Sequence, residues 1–96
     1  MVLNKYTDHI PPNAVYIGRP SKWGNPFPIE KGMTREDVIE QYEDYLIMNI
    51  VMGNVTLKEL AQLYGKDLVC YCAPLACHGH VLEKHAKIAH DKLSLK

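Results

Sequence analysis

The sequence predicts a small α/β fold, a single domain over residues 1–96 with a minimal, mostly parallel sheet of about three strands packed by three helices. Three observations carry this. Strand-like and helix-like periodicities follow one another in the order strand, strand, helix, helix, strand, helix. The run "DLVCYCA" (67–73) is near-continuously apolar, as a strand covered on both faces must be. The stretches "TRED" and "TLKE" each precede an apolar helical pattern with capping-box spacing.

In chain order, "VLNKY" (2–6) reads as a short first strand and "TDHIPPN" (7–13) as a polar, proline-rich connection. "AVYIG" (14–18) is β-branched and aromatic, and is read as a second strand ending at Gly18. "RPSKWGNPFPIEKGM" then shows no periodicity, and a loop of that length in so small a domain is usually functional. Thr34 and Asp37 cap a long helix whose inner stripe is Val38, Tyr42, Tyr45, Leu46 and Asn49, widened by Ile39 and Ile50. Thr56 and Glu59 cap a short second helix carrying Leu57, Leu60, Ala61, Leu63 and Tyr64, with Gly65 at the left-handed position that ends it. After the third strand Pro74 breaks the chain. A last helix begins at about residues 75–78, turns Val81, Leu82, His85, Ile88 and Ala89 inward, and frays over "DKLSLK".

Eleven basic residues balance eleven acidic ones, so no net field gathers phosphate backbones or anionic lipid, and non-specific nucleic-acid binding is not expected. No apolar run approaches the roughly 20 residues that span a bilayer, and no signal pattern opens the chain. The expectation is a cytoplasmic protein with reduced thiols, since three cysteines form no regular disulfide framework.

All three cysteines and two of the five histidines fall in "VCYCAPLACHGH" (69–80). On a strand, Cys70 and Cys72 would sit about 6.5–7 Å apart, too far for two thiolates on one zinc, which must approach to about 4 Å. Cys72, Cys77 and His80 would make a three-ligand open zinc site, although the spacing matches no strong zinc signature. Cys77 and His78 fall at a helix start, where unpaired amides hold an anion or lower a thiol's pKa. That placement suits a ligand phosphate, or a nucleophilic Cys77 with His78 as acid or base. Cys70 reads as a small core residue, and His85 and His90 as packing histidines without a function.

The loop "GRPSKWGNPF" (18–27) combines Gly18 and Gly24 with stiffening prolines at 20 and 26. Arg19, Ser21, Lys22 and Asn25 supply donors, and Trp23 offers a flat face to a ring. The plainer reading makes Trp23 and Phe27 plugs that fold the loop over the sheet edge.

"VYIGRPSKWGNPF", "TREDVIEQYEDYL" and "GKDLVCYCAPLACHGHVL" resemble, in order and spacing, a family of small uncharacterised domains of bacteriophages and bacteria. The resemblance spans roughly residues 14–83 and rests on the motifs W-G-N-P-F and C-x-C-x-P-x-x-C-H. It implies a phage or bacterial source. The family's signature would fall on Gly18, Arg19, Trp23, Gly24, Asn25, Pro26, Cys70, Cys72, Pro74, Cys77 and His78.

The leading expectation is a pocket for a small anionic molecule, a nucleotide or its derivative, between the Trp23 loop and the turn around residues 72–78. Ligand-binding candidates are Arg19, Ser21, Lys22, Trp23, Gly24, Asn25, Cys72, Pro74, Cys77 and His78, with no cofactor required. Three alternatives stand beside it: a cysteine-dependent enzyme acting through Cys77, a zinc-binding domain, and a module that binds a host protein through the Trp23 loop.

Overall fold

The computed structural model of the chain describes residues 2–6, 8–18, 21–27, 30–70 and 78–94. Among them run β1 (Val2–Asn4), β2 (Val15–Tyr16), α1 (Arg35–Val51), α2 (Leu57–Ala61), β3 (Leu68–Cys70) and α3 (His78–Ser94). The fold is the expected small α/β one. β3 is the central strand, with β1 and β2 on either side and both pairings parallel. The choice of centre follows from sequence: Leu68, Val69 and Cys70 are all buried, whereas the edge strands are partly exposed.

Val2 and Val15 both lie opposite Leu68, and Leu3 and Tyr16 both lie opposite Val69. The sheet is shorter than the sequence suggests, since "AVYIG" contributes only two strand residues. Single ladder bonds extend it, from Val15 N to Asp67 O and from Ile17 N to Val69 O, each 2.9 Å. The part of the third strand expected beyond Cys70 lies outside the described residues.

Leu68 and Cys70 join Ile17, Tyr42, Leu46, Leu60, Leu63, Leu82 and Ala86 in one apolar cluster. Full burial of an aliphatic side chain of this kind is worth about 1.5–3 kcal/mol, so these contacts set the scale of the fold's stability. Cys70 is the core residue that the sequence implied.

Both capping boxes form. The Thr34 hydroxyl accepts from Asp37 N at 3.1 Å and the Asp37 carboxylate accepts from Thr34 N at 2.9 Å; Thr56 and Glu59 repeat the pattern. α2 is shorter than expected and ends at Ala61. Leu63 N and Tyr64 N bond back three residues, to Leu60 O and Ala61 O, and this tighter winding carries the chain to Gly65 at φ +79°.

α3 departs from expectation in two ways. Its buried face is His78, Gly79, Val81, Leu82, Ala86 and Ala89, while Ile88 is 39% exposed. Its end is helical to Ser94, where two local contacts and one favourable charge–dipole placement support the last turns. Lys87 pairs with Asp91 at 2.8 Å, the Ser94 hydroxyl donates to His90 O at 2.8 Å, and Lys92 sits at the negative end of the helix dipole. Among the described residues no helix is long and apolar enough to cross a membrane.

Candidate site at the carboxyl edge of the sheet

Because the three strands are parallel, their carboxyl ends share one edge, and in open α/β sheets ligands bind beyond that edge. The chain leaving β2 becomes the Trp23 loop, and the chain after β3 leads to the start of α3. His78, the first residue of α3, is only 7% exposed, and its Nε2 lies 2.8 Å from the carbonyl oxygen of Ile17. A carbonyl oxygen can only accept, so Nε2 carries the hydrogen. Any proton transfer by this ring would therefore fall to Nδ1.

The edge of the His78 ring meets Tyr42, with centroids 4.9 Å apart and planes at 63°. The Tyr42 hydroxyl in turn donates to the carbonyl of Trp23 at 2.8 Å. Ile17, His78, Tyr42 and Trp23 thus form a chain of contacts tying β2, α3, α1 and the loop together. Burial, with a smaller contribution from Tyr45, holds the Tyr42 phenol well above its ordinary pKa.

Next to His78, Gly79 lets the helix approach the sheet. A Cβ there would stand 2.9 Å from Ile17 Cδ1 and 3.0 Å from Val2 Cγ2. Gly18 has a similar duty at the loop entrance, where a Cβ would fall 2.3 Å from the Tyr16 hydroxyl oxygen.

Within the loop, Ser21 N bonds to Gly18 O at 2.9 Å and Gly24 N to Ser21 O at 3.0 Å. Asn25 builds the loop as well, since its side-chain oxygen accepts from Phe27 N at 2.9 Å. Trp23 is partly buried against the core cluster, and Phe27 meets Tyr45 edge-on at 5.6 Å. Both rings therefore do the packing expected of plugs. Ser21 Oγ is buried with no hydrogen-bond partner among the described residues. Such an orphan hydroxyl costs about 1–3 kcal/mol.

The Lys22 ammonium pairs with Glu59, the carboxylate that also closes the cap of α2, and lies 5.7 Å from the centre of the Trp23 ring. The hydrogen bond from Lys22, followed by that from the Thr56 amide, holds the Glu59 carboxyl below its ordinary pKa. Lys22 is thus a charge already compensated by Glu59.

Of the sequence-derived candidates, Ser21, Lys22, Trp23, Gly24, Asn25 and His78 are placed on this edge. Arg19, Cys72, Pro74 and Cys77 lie outside the described residues. His80 is exposed while His78, two residues earlier on the helix, is buried, so the two imidazoles serve different surroundings. Among the described residues no three His, Cys, Asp or Glu side chains group as a metal site. His85 Nε2 is 2.9 Å from Glu43, and His90 stacks on Tyr64 at 4.2 Å.

Sequence reasoning missed Tyr42 as the link to the loop. The usable signal was chemical: a tyrosine on the buried stripe of a helix must find an acceptor for its hydroxyl, and the nearest unstructured segment has spare carbonyls.

A family model described as a domain of unknown function, DUF4326, matches residues 2–88. A protein of Enterobacteria phage T4, named "Uncharacterized 12.4 kDa protein in nrdA-td intergenic region", is 36% identical over 81 residues, covering 84% of this chain and 71% of the phage protein. No solved structure matches. With nearly the whole length matched and the phage relative aligned over most of both chains, the chain belongs to the DUF4326 family.

Proposed function

We propose that the carboxyl edge of the sheet binds a small anionic molecule, a nucleotide or another phosphate-bearing compound, between the Trp23 loop and the start of α3. One observation carries the reading: the 2.8 Å contact of His78 with the Ile17 carbonyl sets the first turn of a 17-residue helix beside the loop holding Ser21, Lys22 and Trp23. The start of a helix is the positive end of its dipole, which favours a phosphate. Ser21 Oγ adds a buried donor that has no partner among the described residues. Lys22, released from Glu59, would bring a cation within reach of Trp23 and of a base stacked there. A phage relative fits a setting in an infected cell; the proposal extends this to the cytoplasm, with a role in nucleotide metabolism or in sequestering a host nucleotide signal.

The test is a thermal-shift titration of ligand-free protein against mono-, di- and triphosphate nucleotides and cyclic forms. A ligand at about 100 times its Kd stabilises the native state by about 2.7 kcal/mol, which is readily seen in a domain of this size. Ser21→Ala should leave the ligand-free protein about as stable or more so, because it removes a buried hydroxyl that has no partner among the described residues, and should weaken the ligand-induced shift. No shift with any nucleotide would end the nucleotide reading, and none with inorganic phosphate or sugar phosphates either would end the proposal.

A further inference from the structure

α1 is apolar on two sides. Val38, Tyr42 and Leu46 form its buried side, facing the core. On the opposite side its first two and a half turns are acidic, with Glu36, Asp37, Glu40 and Asp44 exposed, but its last turns are not. There Ile47, Met48, Val51 and Met52 are 43%, 59%, 81% and 67% exposed. At 100° per residue these four occupy one contiguous face across the end of the helix. Together they leave on the order of 500 Å² of largely apolar surface in water, as large as the biggest patch of an ordinary monomer.

We propose that this face is the interface of a homodimer, in which α1 crosses α1 of a second copy about a two-fold axis near Met48 and Val51. The area favours a second copy: a self-complementary contact counts the patch twice, giving roughly 1,000 Å², the minimum for a stable interface before its rim is added. The charge pattern selects the crossing. A parallel arrangement would bring the acidic halves of the two helices together. An antiparallel one carries each acidic half past the apolar crossing towards the partner's chain beyond Gly53, where the next charged residue is the exposed Lys58. Two of the four contact residues are methionines, whose unbranched side chains adapt to a symmetric contact with their own copies. The proposal rests on observations other than those behind the proposed ligand site at the sheet edge.

Sedimentation velocity over a concentration series tests it. The wild-type chain should approach twice the 10.9 kDa of one copy, with a concentration-dependent midpoint. Val51→Lys and Val51→Glu, at an exposed position, should keep the wild-type circular dichroism and each raise the dimer dissociation constant by at least about 10-fold. Mixing the two variants should restore a dimer, because a residue near a two-fold axis meets its own copy and the mixture replaces repulsion by attraction. A wild-type chain that stays monomeric up to high micromolar concentration would overturn the proposal and leave the face to a different protein. A dimer that survives both single variants would overturn it too, by placing the interface elsewhere.

Discussion

Replacing Tyr42 by Phe removes one oxygen from the centre of the candidate site and little else. The ring that packs on His78 at 4.9 Å is kept, while the 2.8 Å bond to the Trp23 carbonyl is lost. A net hydrogen bond is worth about 1 kcal/mol, and a carbonyl left buried without its donor raises the cost towards 2 kcal/mol. For a domain whose whole stability is about 5–14 kcal/mol, that is a substantial fraction, and Tm should fall by about 5–15 °C. The assay is urea unfolding followed by circular dichroism and by fluorescence. Trp23 is the only tryptophan, so its emission reports the loop itself. The variant should show a lower urea midpoint and native emission shifted to the red, as Trp23 loosens from the core. Alkaline pH supplies a second readout. Burial raises the native Tyr42 pKa above its ordinary 10.0, so the unfolded phenol ionises first and the native one resists. The stability that Tyr42 contributes is therefore complete below pH 10 and is lost as pH rises beyond it, so the gap between wild type and variant narrows there. An unchanged midpoint together with unchanged emission would refute the role assigned to this hydroxyl.

Three further outcomes follow from the same geometry. Gly79→Ala gains about 1 kcal/mol of helix propensity but drives a methyl into Ile17 and Val2, an overpacking that costs about 1–3 kcal/mol; a net loss in chemical denaturation is expected, and a gain would show that the helix can lift from the sheet freely. His78→Phe keeps an aromatic ring but strands the Ile17 carbonyl, and should cost about 1–3 kcal/mol by urea unfolding while leaving helix content intact. Glu43, held below its ordinary pKa by hydrogen bonds from Lys84 at 2.6 Å and His85 at 2.9 Å, stabilises the fold above pH 4.5 and loses that contribution as pH falls through its lower native value. Glu43→Gln should therefore cost less than about 1 kcal/mol at pH 7, and the difference should vanish in stability measurements at strongly acidic pH.

The parts of this fold legible in the sequence are those decided within a few residues. Thr34 with Asp37 and Thr56 with Glu59 place two helix starts because a capping box closes over four residues. Cys70 is legible as core because a strand sandwiched on both faces must be apolar at successive positions. The misses are of two kinds, weak local terms and a long-range contact. The end of α3 depends on Lys87 meeting Asp91 and on the Ser94 hydroxyl reaching His90 O, small local terms that outweigh the weak apolar pattern there. Tyr42 stood on a predicted buried stripe and its hydroxyl needed an acceptor, yet nothing in its neighbourhood singles out the Trp23 carbonyl, 19 residues back, among the carbonyls on offer. Ile47, Met48 and Val51 escaped notice because a stripe read inward on one side of a helix gives no reason to look at the other.

The two sides of α1 divide the molecule's labour. On the inner side, Tyr42 holds the loop and His78 together, and that contact is strong only while both partners are dry. On the outer side the apolar face carries no such partner within the described residues, and its burial adds stability without touching the site. A dimer formed there would stiffen the helix that positions Tyr42, and for the ligand proposed above stiffening would lower the entropy to be removed from the Trp23 loop. Such a coupling would run through one element, α1. It predicts that Val51→Lys, some distance along the helix from the sheet edge, weakens ligand binding only to the extent that it loosens α1, so its effect should disappear at concentrations where both proteins share one oligomeric state.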